Sequence, residues 1–249
     1  MKFIGIIPAR YASTRFPGKP LVDISGKIMI RRVYEQAQKA LDTVYVATDD
    51  KRIQKAVLNF GGNVVMTSKK HKSGTDRIAE AIDIISEKTN KKYDVIINIQ
   101  GDEPFIYPEQ IESVKKCFKL KRTQIATLAK PINNSKDIFD TNKPKLILNN
   151  KNEAIYFSRS PIPFVRGSKQ ADWILKHKFY KHIGLYGYRY DILKKITKLK
   201  PSVLEIVESL EQLRWIENGY KIKVEETEYE SLGIDTKKDL KRIYDTGLL

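Results

Sequence analysis

Apolar and polar positions alternate between two periods along the first half of the chain. Phe3, Ile4, Ile6 and Ile7 form a near-continuous apolar run broken only by Gly5, the pattern of a parallel strand buried on both faces, and Pro8 ends it. From 28 to 41 the period lengthens: Ile30, Val33, Tyr34, Ala37 and Leu41 recur at helical spacing with charges opposite, which predicts an amphipathic helix. A second strand is expected at 44–48. Asp49 and Asp50 then stand in N-cap position for a helix reaching about Phe60, where Gly61 and Gly62 stop it. A short third strand at 64–66 leads to a polar, Gly-containing loop that enters a helix over 69–85, with Ser73 or Thr75 as its cap. A strand over 95–99 and a helix over 108–120 follow. Strand and helix alternate throughout, which predicts an α/β fold with a doubly wound, mostly parallel sheet.

The second half breaks this rhythm. Strands are expected at 124–132, 146–149, 154–158 and 182–189, with an Asn-, Asp- and Lys-rich surface connection over 133–145. Their alternation and turn signals suggest an antiparallel sub-region at roughly 125–190. One helix is expected over 204–219 with Leu210, Leu213, Trp215 and Ile216 inward, then an edge strand at 221–227. A final helix within 231–244 takes Asp235 or Thr236 as cap and Asp239 as the reciprocal partner. At 249 residues, with no repeat or linker to divide it, the chain is expected to form a single domain over 1–249. The longest apolar stretches are strand-sized, far below the roughly 18 residues of a membrane span, and residues 1–8 lack a signal-peptide pattern. A soluble, cytoplasmic protein is the expectation.

The formal net charge of +16 raises nucleic-acid binding as an alternative. The excess lies in lysines scattered along exposed faces rather than in a dense tract interleaved with aromatics, which argues against it. The single cysteine, Cys117, excludes an internal disulfide and sits in a helical segment as a small core residue. Charge matters most directly after the first strand. Arg10, Arg15 and Lys19 are spaced around Pro17, Gly18 and Pro20, which forbid a regular helix and stiffen the loop. Three cations at the carboxyl end of a strand repel one another unless a multiply charged anion lies between them, and that crevice is where open α/β sheets bind ligands. Neither G-x-x-x-x-G-K-[ST] nor G-x-G-x-x-G occurs, so the phosphate site is of another kind.

Other candidates are balanced on residue type alone. Asp102 and Glu103, just beyond the strand at 95–99, suit a magnesium ion beside a triphosphate, or equally an ordinary turn. The segment His71 to Arg77 reads first as a capped helix start and second as a nucleotide contact. Asp235 has a sufficient structural reason as a cap. His182 and Tyr186 share one strand face, and a lone histidine there is more often structural. Glu211 and Gln212 are adjacent and point about 100° apart on a helix.

The stretch I-P-A-R-Y-x-S-T-R-x-P-G-K-P-L at Ile7 to Leu21 resembles the opening of the 3-deoxy-manno-octulosonate (Kdo) cytidylyltransferases, the CMP-Kdo synthetases. The likeness continues in H-x-S-G-T-[DE]-R at His71 to Arg77, Q-G-D-E-P at Gln100 to Pro104 and S-R-x-x-I-P at Ser158 to Pro163. It extends through H-x-G-x-Y-G-Y-R at His182 to Arg189, L-E-x-x-E-x-L-E-Q-L-R from Leu204, and G-[IV]-D-T-x-x-D-L at Gly233 to Leu240. It runs from Phe3 to about Arg242; Pro144 departs from the family pattern, and the 165–180 loop does not align clearly.

The resemblance implies a Rossmann-like nucleotidyltransferase that transfers CMP from CTP to the anomeric hydroxyl of Kdo for lipopolysaccharide synthesis. It implies that Arg10, Arg15 and Lys19 grip the triphosphate, that Ala9, Ser73, Gly74, Arg77 and Gln100 also contact the nucleotide, and that Asp102 and Asp235 hold Mg2+. Arg159, His182, Tyr186, Glu211 and Gln212 would line the sugar site, with Arg159 suited to bidentate pairing with a sugar carboxylate. The antiparallel region would supply a homodimer interface. Within the enzyme class the nearest rival is a cytidylyltransferase for sialic acid or an amino-substituted Kdo. A nucleotide-sugar glycosyltransferase is disfavoured because D-x-D, its common metal motif, is absent from the sequence.

Overall fold

The structure, a computed structural model, describes residues 1–12, 16–230 and 232–245. In chain order its first elements are strand β1 (Phe3–Ala9), a 3-10 turn at Lys19–Leu21, the hairpin strands β2 (Asp23–Ile24) and β3 (Lys27–Ile28), helix α1 (Met29–Gln38), β4 (Val44–Thr48), α2 (Lys51–Asn59), β5 (Val64–Met66), α3 (Gly74–Thr89) and β6 (Val95–Asn98). There follow α4 (Pro108–Cys117), β7 (Ile125–Pro131), α5 (Ser135–Phe139), β8 (Lys145–Leu148), β9 (Ala154–Ser158) and α6 (Trp173–Lys176). The last are β10 (Tyr180–Arg189), α7 (Tyr190–Ile196), α8 (Val203–Glu208), α9 (Gln212–Glu217), β11 (Ile222–Glu226) and α10 (Lys237–Asp245). The chain is α/β, and it forms two compact units, one of residues 1–112 with 231–249 and one of residues 113–230.

In the first unit β1 pairs in parallel with β4 and β6, and β4 in parallel with β5. The apolar run that predicted a strand buried on both faces does so: Ile4, Ile6 and Ile7 are fully buried. The helical stripe of α1 buries Ile30, Val33, Tyr34 and Ala37. Asp50 caps α2 by accepting from the Arg52 N–H, and Ser73 caps α3 by accepting from the Asp76 N–H. A second apolar cluster joins the two ends of the chain: Phe16, Ile24 and Met29 pack with Ile234 and Ile243. Burying each large aliphatic side chain contributes about 1.5–3 kcal/mol, enough to fix the segment before α10 against the loop after β1.

In the second unit β7 pairs antiparallel with β10 and parallel with β11, while β8 pairs antiparallel with β9 and β10. The antiparallel excursion expected over 125–190 is therefore present, although its connection over 133–145 contains the short helix α5, capped by Asn134. The single helix expected over 204–219 is corrected to two. Ser209 takes a left-handed backbone (φ 52°) between α8 and α9. The cause lies elsewhere in the sequence: Arg159 donates from Nε to the Glu208 carbonyl (2.7 Å) and from Nη2 to the Ser209 carbonyl (3.3 Å), satisfying groups that a continuing helix would use. Leu210, Leu213 and Trp215 are buried as expected, and Ile216 is half-buried. Among the described residues no helix is long and apolar enough to cross a membrane.

Candidate active site

The first unit encloses a cavity of about 360 Å³ where its strands end and its helices begin. Pro8, Ala9 and Arg10 reach it from the carboxyl end of β1, and Lys19 and Pro20 from the 3-10 turn. Ser73, Gly74 and Arg77 come from the first turn of α3, Gln100 to Asp102 from the loop after β6, and Asp235 from the segment before α10. The start of α3 brings the positive end of a 16-residue helix to the same space.

Local geometry explains each placement. Gly18 has φ 72°, a conformation that strains other residues, and its N–H donates to the Tyr11 carbonyl (2.9 Å). The Arg52 guanidinium lies 3.3 Å from the centroid of the Tyr11 ring and is itself held by both carboxylate oxygens of Asp50. Gly101 permits a close crossing of loops, because a Cβ there would stand 2.8 Å from the Pro8 carbonyl oxygen. Asp235 arrives through backbone and core contacts: the Ile234 N–H donates to the Asp102 carbonyl (2.8 Å), and buried Ile234 anchors the segment. Of the two expected caps of α10 it is Thr236 that serves, its Oγ1 accepting from the Asp239 N–H (3.2 Å) while Asp239 accepts from the Thr236 N–H (2.8 Å). That arrangement leaves the Asp235 carboxylate directed to a different partner.

One such partner is Lys19. Its Nζ donates to Asp102 Oδ2 at 2.7 Å and to Asp235 Oδ1 at 3.0 Å, across 83 and 216 residues of sequence. Arg77, expected to touch the nucleotide, forms part of the cavity wall but is buried, with Nη2 donating to Asp49 Oδ2 (2.8 Å) and Nη1 to Thr67 Oγ1 (2.6 Å). It holds the α3 entrance in place from behind. Asp49 was legible only as a cap, and its pairing with Arg77 is visible only in the fold. Arg15 lies outside the described residues.

Two carboxylates converging on one positive charge fit a magnesium ion. Among the described residues no group of three or more His, Cys, Asp or Glu side chains stands together. Magnesium does not need one, since it is commonly held by one or two carboxylates with substrate phosphates and water completing its shell.

The residues assigned to the sugar side lie in the second unit. β10 bulges between Ile183 and Tyr186, so that His182 stands opposite Ala129 and Tyr186 opposite Thr127. Residues four apart on a regular strand are separated by about 13 Å. The bulge brings these two rings to 5.3 Å between centroids. Tyr186 also stacks on Tyr188 and meets the edge of Trp215 at 5.2 Å. Gln212 lies one helical turn before Trp215 on α9, and Glu211 is close enough to act on the Tyr186 hydroxyl. Burial first, then Tyr188 and Glu211, raises the pKa of that hydroxyl well above its usual value.

His182 Nε2 is 3.0 Å from Thr127 Oγ1, whose one proton is directed to the carbonyls of Leu185 (2.9 Å) and Ile183 (3.1 Å). Thr127 therefore accepts from His182 Nε2–H, which leaves Nδ1 as an acceptor. Desolvation holds the imidazole neutral, with its pKa pushed down to about 3. Two polar groups in this cluster, the Tyr186 hydroxyl and Gln212 Nε2, are buried without a hydrogen-bond partner. Arg159 is engaged differently from its expected role: besides the α8 carbonyls it donates from Nη1 to the Thr141 carbonyl (3.0 Å), leaving two N–H groups for any carboxylate.

Cations, a helix start and paired carboxylates around one cavity at the ends of parallel strands suit a nucleotidyltransferase, and the comparisons agree. The family model described as "Cytidylyltransferase" matches residues 4–223. The 3-deoxy-manno-octulosonate cytidylyltransferase of Parabacteroides distasonis is 62% identical over 246 residues, covering 97% of this chain and 96% of that protein. The enzyme of the same name from Bacteroides thetaiotaomicron is 58% identical, with 97% and 96% covered. A solved structure of CMP:2-keto-3-deoxy-manno-octonic acid synthetase complexed with CTP matches with a TM-score of 0.89 and 39% identity, over 99% of this chain and 98% of that one. The chain belongs to the 3-deoxy-manno-octulosonate cytidylyltransferase family, the CMP-Kdo synthetases.

Proposed function

We propose that this chain transfers CMP from CTP to the anomeric C2 hydroxyl of Kdo, releasing pyrophosphate and activating the sugar for lipopolysaccharide synthesis. One observation carries the reading: Lys19, Asp102 and Asp235, remote in sequence, meet in a cavity at the carboxyl end of β1. In the reaction the sugar hydroxyl attacks the α-phosphorus in line and the bond to the β-phosphate breaks. Arg10 and Lys19 take up charge on the leaving pyrophosphate, the electrostatic stabilisation that removes most of such a barrier. Ala9, Ser73, Gly74 and Gln100 border the nucleotide, and the start of α3 favours its negative charge. Asp102 and Asp235 would hold magnesium, which when bound lowers the pKa of the attacking hydroxyl and neutralises phosphate charge.

On the sugar side, His182 Nδ1 accepts a hydroxyl proton, while the unsatisfied Tyr186 hydroxyl and Gln212 Nε2 take sugar oxygens as partners. Glu211 accepts a second hydroxyl, and Arg159 faces the carboxylate with its remaining N–H groups. The working form is a homodimer in the cytoplasm, where CTP is made; the exposed Val203, Ile206 and Val207 on α8 give an apolar surface suited to a second copy. Pyrophosphate release, measured across nucleoside triphosphates and sugar acids with and without Mg2+, tests the proposal. CTP with Kdo and Mg2+ is expected to be fastest, and release only with another sugar acid, such as sialic acid, would overturn it.

A further inference from the structure

Resting on the nucleotide and metal reading above, we propose that Lys19 has two stations. In the nucleotide-free protein its ammonium fills the cation position between Asp102 and Asp235, and it leaves only when a metal arrives with a triphosphate that gives it a new partner. The ammonium is 2.7 Å from one carboxylate and 3.0 Å from the other, so one small cation already bridges the pair. Its charge offsets the repulsion between the two carboxylates that it bridges. A bare divalent ion entering there must expel Lys19 and leave its charge, and that of Arg10 on the same cavity, beside a dication with no phosphate to offset them. A triphosphate removes that conflict. Metal and nucleotide affinities are therefore positively linked, each raising the other by the same factor.

The local structure suits such a movement. The backbone of Lys19 is fixed between Gly18 and Pro20, with Leu21 N–H donating to the Gly18 carbonyl (2.9 Å), so only the four-carbon stem has to swing. The carboxylates do not depend on Lys19 for their position. The Ile234 N–H to Asp102 carbonyl bond and the Thr236–Asp239 cap hold both segments independently. Replacing Lys19 by methionine, which keeps the apolar stem and removes the charge, leaves that frame assembled.

The test titrates Mn2+ into the 249-residue wild-type chain and Lys19→Met, with and without CTP, following loss of the free-ion electron paramagnetic resonance signal. The inference predicts opposite signs for one substitution: bare Mn2+ binds about tenfold or more tightly to the variant than to wild type, whereas Mn2+ with CTP binds about tenfold or more weakly. Lys19→Gln takes the place of Lys19→Met if the latter fails to fold. If neither folds, the 15N resonance of the wild-type Lys19 ammonium decides, since it must shift on adding Mg2+ with CTP and stay put on adding Mg2+ alone. Unchanged or weaker binding of bare Mn2+ by the folded variant, or a shift with Mg2+ alone, would overturn the two stations. Failure of wild type to bind Mn2+ with CTP at all would instead overturn the functional reading on which they rest.

Discussion

The two units hold their candidate ligand groups by opposite means. In the first, the groups are charged and line an open cavity: Arg10, Lys19, Asp102 and Asp235, set at the ends of parallel strands and at one helix start. In the second, the charged Arg159 and Glu211 stand with groups that are neutral and buried: His182 kept uncharged, Tyr186 stacked on Tyr188, Gln212 with an unsatisfied amide nitrogen. A triphosphate is gripped by charge, and charge works from a solvated wall. A sugar is distinguished by its hydroxyl pattern, and that calls for buried polar groups whose lack of a partner penalises the wrong ligand. The difference teaches where each kind of error should show, in turnover for the first unit and in sugar affinity for the second.

The largest expected effect is in the first unit. Lys19→Ala should lower kcat by about 10²–10³, or roughly 3–4 kcal/mol in the barrier, by analogy with removing one oxyanion donor. Steady-state pyrophosphate release checks it, and turnover within a few-fold of wild type would remove Lys19 from the phosphate site. Next in size, Tyr186→Phe and Gln212→Leu should each raise KM for the sugar by about tenfold, roughly 1–2 kcal/mol, with KM for CTP unchanged. Because each deletes a buried polar atom that has no partner in the free protein, neither should lower the melting temperature; a variant that loses stability and keeps sugar affinity would reverse the comparison.

Smaller again is the pH effect. Folded His182 stays neutral to about pH 3, whereas the unfolded chain binds a proton there near the ordinary value of 6.5, so between the two the unfolded state carries more protons. Stability should therefore fall as pH drops below 6.5, by at most about 1.4 kcal/mol per unit from this group. His182→Asn should flatten denaturant-midpoint curves above the carboxylate range, and an unchanged slope would mean that the ring is not buried neutral. Finally, we propose that residues 1–249 unfold as one domain, because the division between the units falls inside helix α4. Calorimetry should then show one transition, and two resolved transitions would contradict it.

Elements whose signals are local were legible in the sequence. The strands at 44–48 and 64–66, the Asp50 and Ser73 caps and the buried face of α1 all follow from periodicity and cap chemistry within a dozen residues. Features set by distant partners were not. Ser209 breaks a helix because Arg159 takes the carbonyls there, and serine gives no warning of it. The face shared by His182 and Tyr186 was readable from strand parity, yet their ring contact needs a bulge that parity does not foresee. Asp235 read equally well as a cap, and its place beside Lys19 depends on Ile234 and Ile243 packing against the opposite end of the chain.

A double-mutant cycle on Asp102→Asn and Asp235→Asn, scored by kcat for pyrophosphate release at saturating CTP, Kdo and Mg2+, tests whether these two side chains serve one cation. If they do, either single change removes most of what the pair supplies, and the double variant is slower than the worse single one by only a few-fold. Losses that multiply, or a single variant with near wild-type turnover, would mean that the two aspartates do not act on the same ion.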